Sequence, residues 1–109
     1  MTERVQEISG ITPGAFYALQ TGYNRFQVVR VIAIEECGVH FHMYGKWYEE
    51  LPHSIDVEEL QQTNTTYMPF RWWPFYVMVP EFLTQSPLLP EDMEAYRRWK
   101  EEDGMYWGD

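Results

Sequence analysis

The stretch that most constrains the fold is Arg25-Phe-Gln-Val-Val-Arg-Val-Ile-Ala-Ile-Glu35. It is rich in β-branched residues and long for a single strand. In an extended chain, successive side chains point to opposite faces. Phe26, Val28, Ile32 and Ile34 then share one face, and Val29, Val31 and Ala33 share the other. Both faces are apolar, so the strand cannot lie flat with one side in water. It must bend and serve two packed layers, as strands of small barrels do.

The flanking segments supply its partners. Ile11-Thr-Pro-Gly14 signals a turn ahead of the apolar run Ala15-Phe-Tyr-Ala-Leu19, and Gln20-Thr-Gly-Tyr-Asn24 has hairpin length. Glu36-Cys-Gly38 makes the next turn, and Val39 to Tyr44 returns as a third strand. Three strands with short connections form an antiparallel meander. Gly45 to Pro52 reads as a loop. Asp56-Val-Glu-Glu-Leu60 reads as one helical turn capped by Asp56. Thr65-Thr-Tyr-Met68 reads as a further strand ended by Pro69, and Tyr76 to Val79 as a last short one after the aromatic loop Phe70 to Phe75, which Pro74 breaks.

A C-terminal helix is expected over 90–103. Pro90 opens it, acids come early, Arg97, Arg98 and Lys100 come late, and Gly104 closes it. Met93, Tyr96 and Trp99 recur every three residues as one apolar stripe to lay against the barrel. Glu94 and Arg98 are spaced to pair at i and i+4. With no repeat, low-complexity run or linker, 1–109 reads as one domain, the barrel over about 11–80 and the helix after it.

Charge bears on partners. Residues 1–48 carry four acids and four bases, whereas residues 49–109 carry thirteen acids and four bases; the whole net charge of −9 lies in the second half. A phosphate backbone needs clustered lysine and arginine, so nucleic acid is not an expected partner. A basic protein would be steered towards such a surface. The chain shows no basic segment followed by an apolar run, and no apolar stretch of about 20 residues, so neither a signal peptide nor a membrane span is expected. One cysteine cannot form an intrachain disulfide, and a cytoplasmic location is expected.

His40 and His42 raise the question of a metal. The alternation that puts Val39, Phe41 and Met43 in the core puts His40, His42 and Tyr44 on the opposite face, read here as facing solvent or an aromatic groove. A metal site needs a third ligand and a supporting shell, and the other candidates, His53 and Cys37, lack the spacing. No metal or cofactor is expected. Adjacent acids (Glu35-Glu36, Glu49-Glu50, Glu58-Glu59, Glu101-Glu102) point apart and make poor catalytic pairs. Cys37 follows two acids, which disfavour its thiolate. Gly10, Gly14 and Gly22 form no phosphate loop. The expectation is a protein without enzymatic activity.

The remaining signal is aromatic and acidic. Tyr44, Trp47 and Tyr48 precede Glu49 and Glu50; Glu58 and Glu59 follow in the short helix; Trp72 and Trp73 sit in a second loop. If these loops converge, they form an aromatic pocket rimmed by carboxylates, suited to a cation or a basic protein surface. Otherwise Trp47, Trp72 and Trp73 plug the barrel against the helix.

Pro13-Gly14-Ala-Phe16-Tyr17-Ala-Leu19, then Gly22-Tyr23 and Arg25-Phe26-Gln-Val28-Val29-Arg30-Val31, resembles the opening of small bacterial SH3-like barrel proteins, some of the immunity class found beside polymorphic toxins. The Pro-x-x-Asp-Met-Glu-x-Tyr-x-x-Trp helix looks like the closing helix of uncharacterised members. The resemblance covers roughly two thirds of the chain and implies a small, mainly antiparallel SH3-like β-barrel with a C-terminal helix. It implies no catalytic residue. The function expected is an acidic, non-enzymatic inhibitor of a basic toxin, contacting it through Trp47, Tyr48, Glu49, Glu50, Glu58 and Glu59. The alternative is a Tudor-like module that takes a cationic ligand or peptide in an aromatic pocket.

Overall fold

The computed structural model describes residues 10–107; the polar opening of the chain and its last two residues lie outside this range. Five strands form one antiparallel sheet in the order β4-β3-β2-β1-β5. They are β1 (Ala15–Gly22), β2 (Arg25–Ile34), β3 (Gly38–Tyr48), β4 (Thr65–Arg71) and β5 (Glu81–Gln85). Helix α1 (Val57–Gln61) links β3 to β4, and α2 (Trp72–Val77) links β4 to β5. A 3₁₀ turn at Pro90–Met93 leads into α3 (Glu94–Glu101). The described pairings leave the sheet open, with β4 and β5 at its edges. The fold is a small α+β domain; the expected closure into a barrel is not among these pairings.

The central strand does serve two layers. Every residue of β2 from Val28 to Ala33 is buried. Val29 and Val31 join Tyr17, Leu19, Val39, Phe41 and Phe75 in one core, and Val28 joins Phe16, Tyr44 and Leu60 in another. A bulge refines the simple alternation. Val31 pairs with Phe41 and Ala33 with His40, so Ile32 is an extra residue. Side-chain parity flips there. Ala33 moves to the His40 face, and Ile34, opposite Val39, turns to the first core.

Several local expectations change. The first hairpin turn is tighter than Gln20–Asn24: β1 runs on to Gly22, and Asn24 takes the left-handed conformation at φ 53°, which asparagine tolerates. β3 extends through Gly45 to Tyr48 rather than yielding to a loop. β4 continues past Pro69, which an outer strand permits because no sheet partner needs its missing N–H. The Tyr76–Val79 strand is absent. Trp72 to Val77 is helical instead, with Pro74 within the first turn, where a proline is tolerated. The last strand is Glu81–Gln85. Asp56 caps α1 as expected, its carboxylate accepting from the N–H groups of Glu58 and Glu59. The C-terminal helix divides into the 3₁₀ turn and α3, where Arg98 donates to Glu94 at 3.0 Å.

Candidate functional site

His40 is not on a wet face. It is fully buried. The alternation along β3 was sound, since Val39 and Phe41 are buried in the first core and Met43 packs partly against it. Of the two surroundings expected for the opposite face, solvent is wrong for His40 and aromatic rings are right, but they enclose it fully. That face is covered along its length: by α1 near Tyr44, by the 86–92 segment near Arg30, and by α3 near His40. The stripe of α3 does the covering at His40. The Tyr96 and Trp99 rings meet the imidazole edge-on at 4.7 and 4.4 Å, and Tyr106, from beyond the helix, closes in at 5.2 Å.

Burial obliges the imidazole to find partners. His40 Nδ1 contacts the Tyr67 hydroxyl, and Nε2 lies 2.9 Å from the Tyr106 hydroxyl and 3.4 Å from Glu35 Oε1. The Tyr106 hydroxyl contacts Glu35 Oε1, and the Tyr96 hydroxyl donates to Oε2 at 2.6 Å. One assignment satisfies every group. Tyr67 O–H donates to Nδ1, Nε2–H donates to the Tyr106 oxygen, and Tyr106 O–H donates to the carboxylate. All donors in this chain run towards Glu35. Lys100 Nζ is 3.9 Å from Oε2, and the Trp72 indole N–H donates to the Glu35 carbonyl at 2.9 Å. Glu35 therefore joins the β2–β3 turn, α2, α3 and the C-terminal segment.

The electrostatics follow from this. Burial lowers the His40 pKa below its ordinary 6.5, and the attraction of Glu35 opposes that only in part. Burial alone raises the Glu35 pKa, but hydrogen bonds from Tyr106 and Tyr96, together with His40, outweigh it and hold the carboxyl below 4.5. Burial and the neighbouring carboxylate push Tyr96 up to about 12, and raise Tyr106 as well. Neutral imidazole, ionised carboxylate and protonated phenols are the states the hydrogen bonds require.

His42 is half-buried two residues on, its pKa lowered by burial against the pull of Asp92. Opposite it on β2 is the buried Arg30. One guanidinium nitrogen of Arg30 donates to the Ser86 hydroxyl at 2.9 Å and to the carbonyls of Ser86 and Pro87 at 3.1 and 2.8 Å. The other reaches Asp92 Oδ2 at 3.4 Å, and the group lies over the Phe16 ring. Asp92 also accepts from the Leu89 N–H at 2.7 Å. Among the described residues, no three His, Cys, Asp or Glu side chains gather so as to hold a metal ion.

The residues expected to contact a partner fall into three groups. Tyr44 is in the second core, stacked on Phe16, and offers no surface. Trp47 (51% exposed), Tyr48, Glu49 and Glu50 lie at the far end of β3, where Lys46 ties Glu59 of α1 to the same strand. Arg25 lies over the Trp47 ring and Lys46 over Tyr48. Trp72 and Trp73 are at the other end: β4 pairs Arg71 with Gly38, the first residue of β3. Trp72 stacks on Tyr76, while Trp73 is 66% exposed. The two aromatic loops do not converge into one pocket.

The Glu35 network was not anticipated, although a signal for it exists. Once Ile34 pairs with Val39 across the turn, Glu35 and Ala33 share the face of His40, so the carboxylate is the diagonal neighbour of the imidazole. Comparison with known protein families, with characterised proteins and with solved structures finds no match for this chain. None of its helices among the described residues is long and apolar enough to cross a membrane.

Proposed function

We propose that this chain is a non-enzymatic, acidic protein-binding module: an immunity-type inhibitor that neutralises a basic bacterial toxin by occluding it. One observation carries the reading. Glu49, Glu50, Glu58 and Glu59 are all exposed, two just after β3 and two on α1, and β3 also carries the exposed Trp47. Lys46 answers Glu59, whereas Glu49, Glu50 and Glu58 have no ion pair among the described residues. Unanswered carboxylates and an exposed aromatic side chain suit a basic surface: the charges steer the encounter and the ring supplies buried contact.

The SH3-like barrel belongs to the same reading. Bulges in β1 and β2, and a β2 buried on both faces, favour a sheet that curls strongly. The Tudor-like alternative has less support. Trp47 and Tyr48 already hold the chain's own cations, Tyr44 is buried, and Trp72 and Trp73 lie at the opposite end of β3.

The test is association kinetics with basic bacterial toxin domains. The on-rate should fall as salt rises, and the double reversal Glu49→Lys, Glu50→Lys should slow it by about tenfold. An on-rate unmoved by both removes the proposal. Saturable quenching of tryptophan fluorescence by methyl-lysine or methyl-arginine peptides would favour the Tudor-like reading instead.

A further inference from the structure

Residues 86–107 lie against the sheet without entering its cores. None of them is buried, and neither apolar core includes one of their side chains. Hydrogen bonds fasten this arm at three places. At its start the Ser86 N–H donates to the Gly14 carbonyl at 3.2 Å, and the carbonyls of Ser86 and Pro87 accept from Arg30. Further on, the Tyr96 hydroxyl donates to Glu35, and the Tyr106 hydroxyl links Glu35 to His40. At the far end the Trp107 N–H donates to the Pro69 carbonyl at 2.8 Å, and the Arg71 N–H donates to the Trp107 carbonyl at 3.0 Å. A segment held this way, with no side chain fully buried, opens at a lower free energy than the strands beneath it.

His40 couples the arm to pH. Every element around the ring presents a group to it: Glu35 from the β2–β3 turn, Tyr67 from β4, Tyr96, Trp99 and Lys100 from α3, and Tyr106 from beyond the helix. The closed network has a place for one imidazole proton. Nδ1 accepts from the Tyr67 hydroxyl, so a second proton there would meet a donor. Burial also disfavours the charged ring; Glu35 attracts it, Lys100 repels it, and the attraction does not make up for the burial. His42, two residues on, is held neutral in the same sense by burial, with Arg30 on β2, Tyr67 on β4 and Asp92 on the arm around it.

We propose that residues 86–107 form an acid-operated strap, closed over His40 while the imidazole is neutral. When the ring is protonated the strap lifts as a unit and the sheet beneath stays folded. Lifting takes Tyr96, Trp99, Lys100 and Tyr106 away and returns His40 to water, where the charged ring is hydrated. The lifted state therefore binds the proton at higher pH than the closed state does. The arm stays closed above about pH 6.5, and lifting becomes more frequent as pH falls below that value. The face it uncovers carries Arg30 on β2, with His42 opposite it on β3 and His40 two residues away. In mild acid all three are positive, so the device replaces a closed face by an open cationic one. The carboxylates at Glu49 and Glu50 take no part in this step, so this proposal and the proposed toxin binding succeed or fail separately.

Hydrogen exchange of the full chain at about pH 7.5 and about pH 5, corrected for the intrinsic effect of pH on amide exchange, tests this. α3 has eight residues, too few to hold a helix away from the sheet, so its amides report lifting. Protection across residues 86–107 should fall about tenfold between the two pH values, while β2 and β3 change less than about twofold. His40→Gln, which cannot take the proton, should remove most of the fall, and His42→Gln should keep most of it. Circular dichroism at pH 7.5 verifies that each variant folds. Arm protection that does not change with pH overturns the proposal, and so does an equal loss in the arm and the strands. The wild-type chain alone decides both outcomes, even where a variant does not fold. A fall that His40→Gln leaves intact also overturns it.

Discussion

The Tyr106 hydroxyl donates to the Glu35 carboxylate across 71 residues of sequence. That bond is the last step of a chain of donors from Tyr67 through His40, and it fastens the C-terminal segment to the β2–β3 turn. Function aside, it makes the C-terminal segment part of the domain.

Tyr106→Phe should therefore cost more than Tyr96→Phe. The Tyr106 oxygen both donates to Glu35 and accepts from His40, so its loss leaves the buried imidazole N–H with only its longer 3.4 Å contact to Glu35. Tyr96 only donates to Glu35, which keeps other partners. The expected losses are about 2 kcal/mol for Tyr106→Phe and about 1 kcal/mol for Tyr96→Phe, read by urea denaturation. Equal losses would mean that the hydroxyls do not act in series.

Acid should loosen this junction in two stages. The His40 pKa is depressed below 6.5, so the unfolded chain takes up the proton at higher pH than the native one does. Its contribution is complete above about pH 6.5 and declines as pH falls through that value. Glu35 is depressed below 4.5, so its contribution is complete above about pH 4.5 and is lost below it. His42, also depressed, acts in the same window as His40. Stability measured from pH 8 to 4 should fall first below about 6.5, and His40→Gln should reduce that first step more than His42→Gln. A flat profile between pH 7 and 5 would contradict the burial of the imidazole.

Much of the sheet was legible in the chain because β-branched alternation and turn residues act locally. The two-faced Arg25–Glu35 strand, the Asp56 cap and the Glu94–Arg98 pair depend only on near neighbours. The His40 environment was not legible, because it depends on where α3 lands. The Met93, Tyr96, Trp99 stripe announced an apolar face but not its target, and a histidine opposite Val39 and Phe41 reads as wet until something covers it. α2 was misread for a related reason: Pro74 was taken to break the aromatic stretch as a loop, whereas it sits in the first turn of a helix that brings Phe75 into the first core. The separation of the Trp47 and Trp72 segments to opposite ends of β3 was not legible either, since no local rule says which ends of strands share a side of the molecule.

Gly38→Ala tests how closely the C-terminal segment packs. Gly38 is buried at the start of β3, and a Cβ there would collide with the Phe70 carbonyl and the Tyr106 ring. Neither can retreat cheaply, since Phe70 is held in β4 and Tyr106 is bonded to Glu35 and His40. Overpacking of this kind costs about 2 kcal/mol. The loss should shrink but not vanish in a Tyr106→Ala background, where the ring is gone and the Phe70 carbonyl remains, with melting temperature as the readout.

Arg30 fastens the other half of the same arm. Its guanidinium carries the donors for the Ser86 and Pro87 carbonyls, and it faces Asp92 at the start of the helical segment. Arg30→Ala leaves these acceptors without their donor beneath the arm and opens space beside Phe16. The expected cost is about 3–5 kcal/mol, as for breaking a buried charged pair. Arg30→Lys keeps the charge but replaces a planar fork by a single point donor, so it should recover less than half of the loss. Asp92→Asn should be milder, about 1 kcal/mol, because the Asp92 side chain is partly exposed and an amide oxygen can still accept from the Leu89 N–H. The distinguishing measurement is hydrogen exchange. If Arg30 holds the arm, Arg30→Lys speeds exchange across residues 86–101 while β2 and β3 stay protected. Exchange that rises equally in the strands and the arm would make Arg30 a residue of the general core instead.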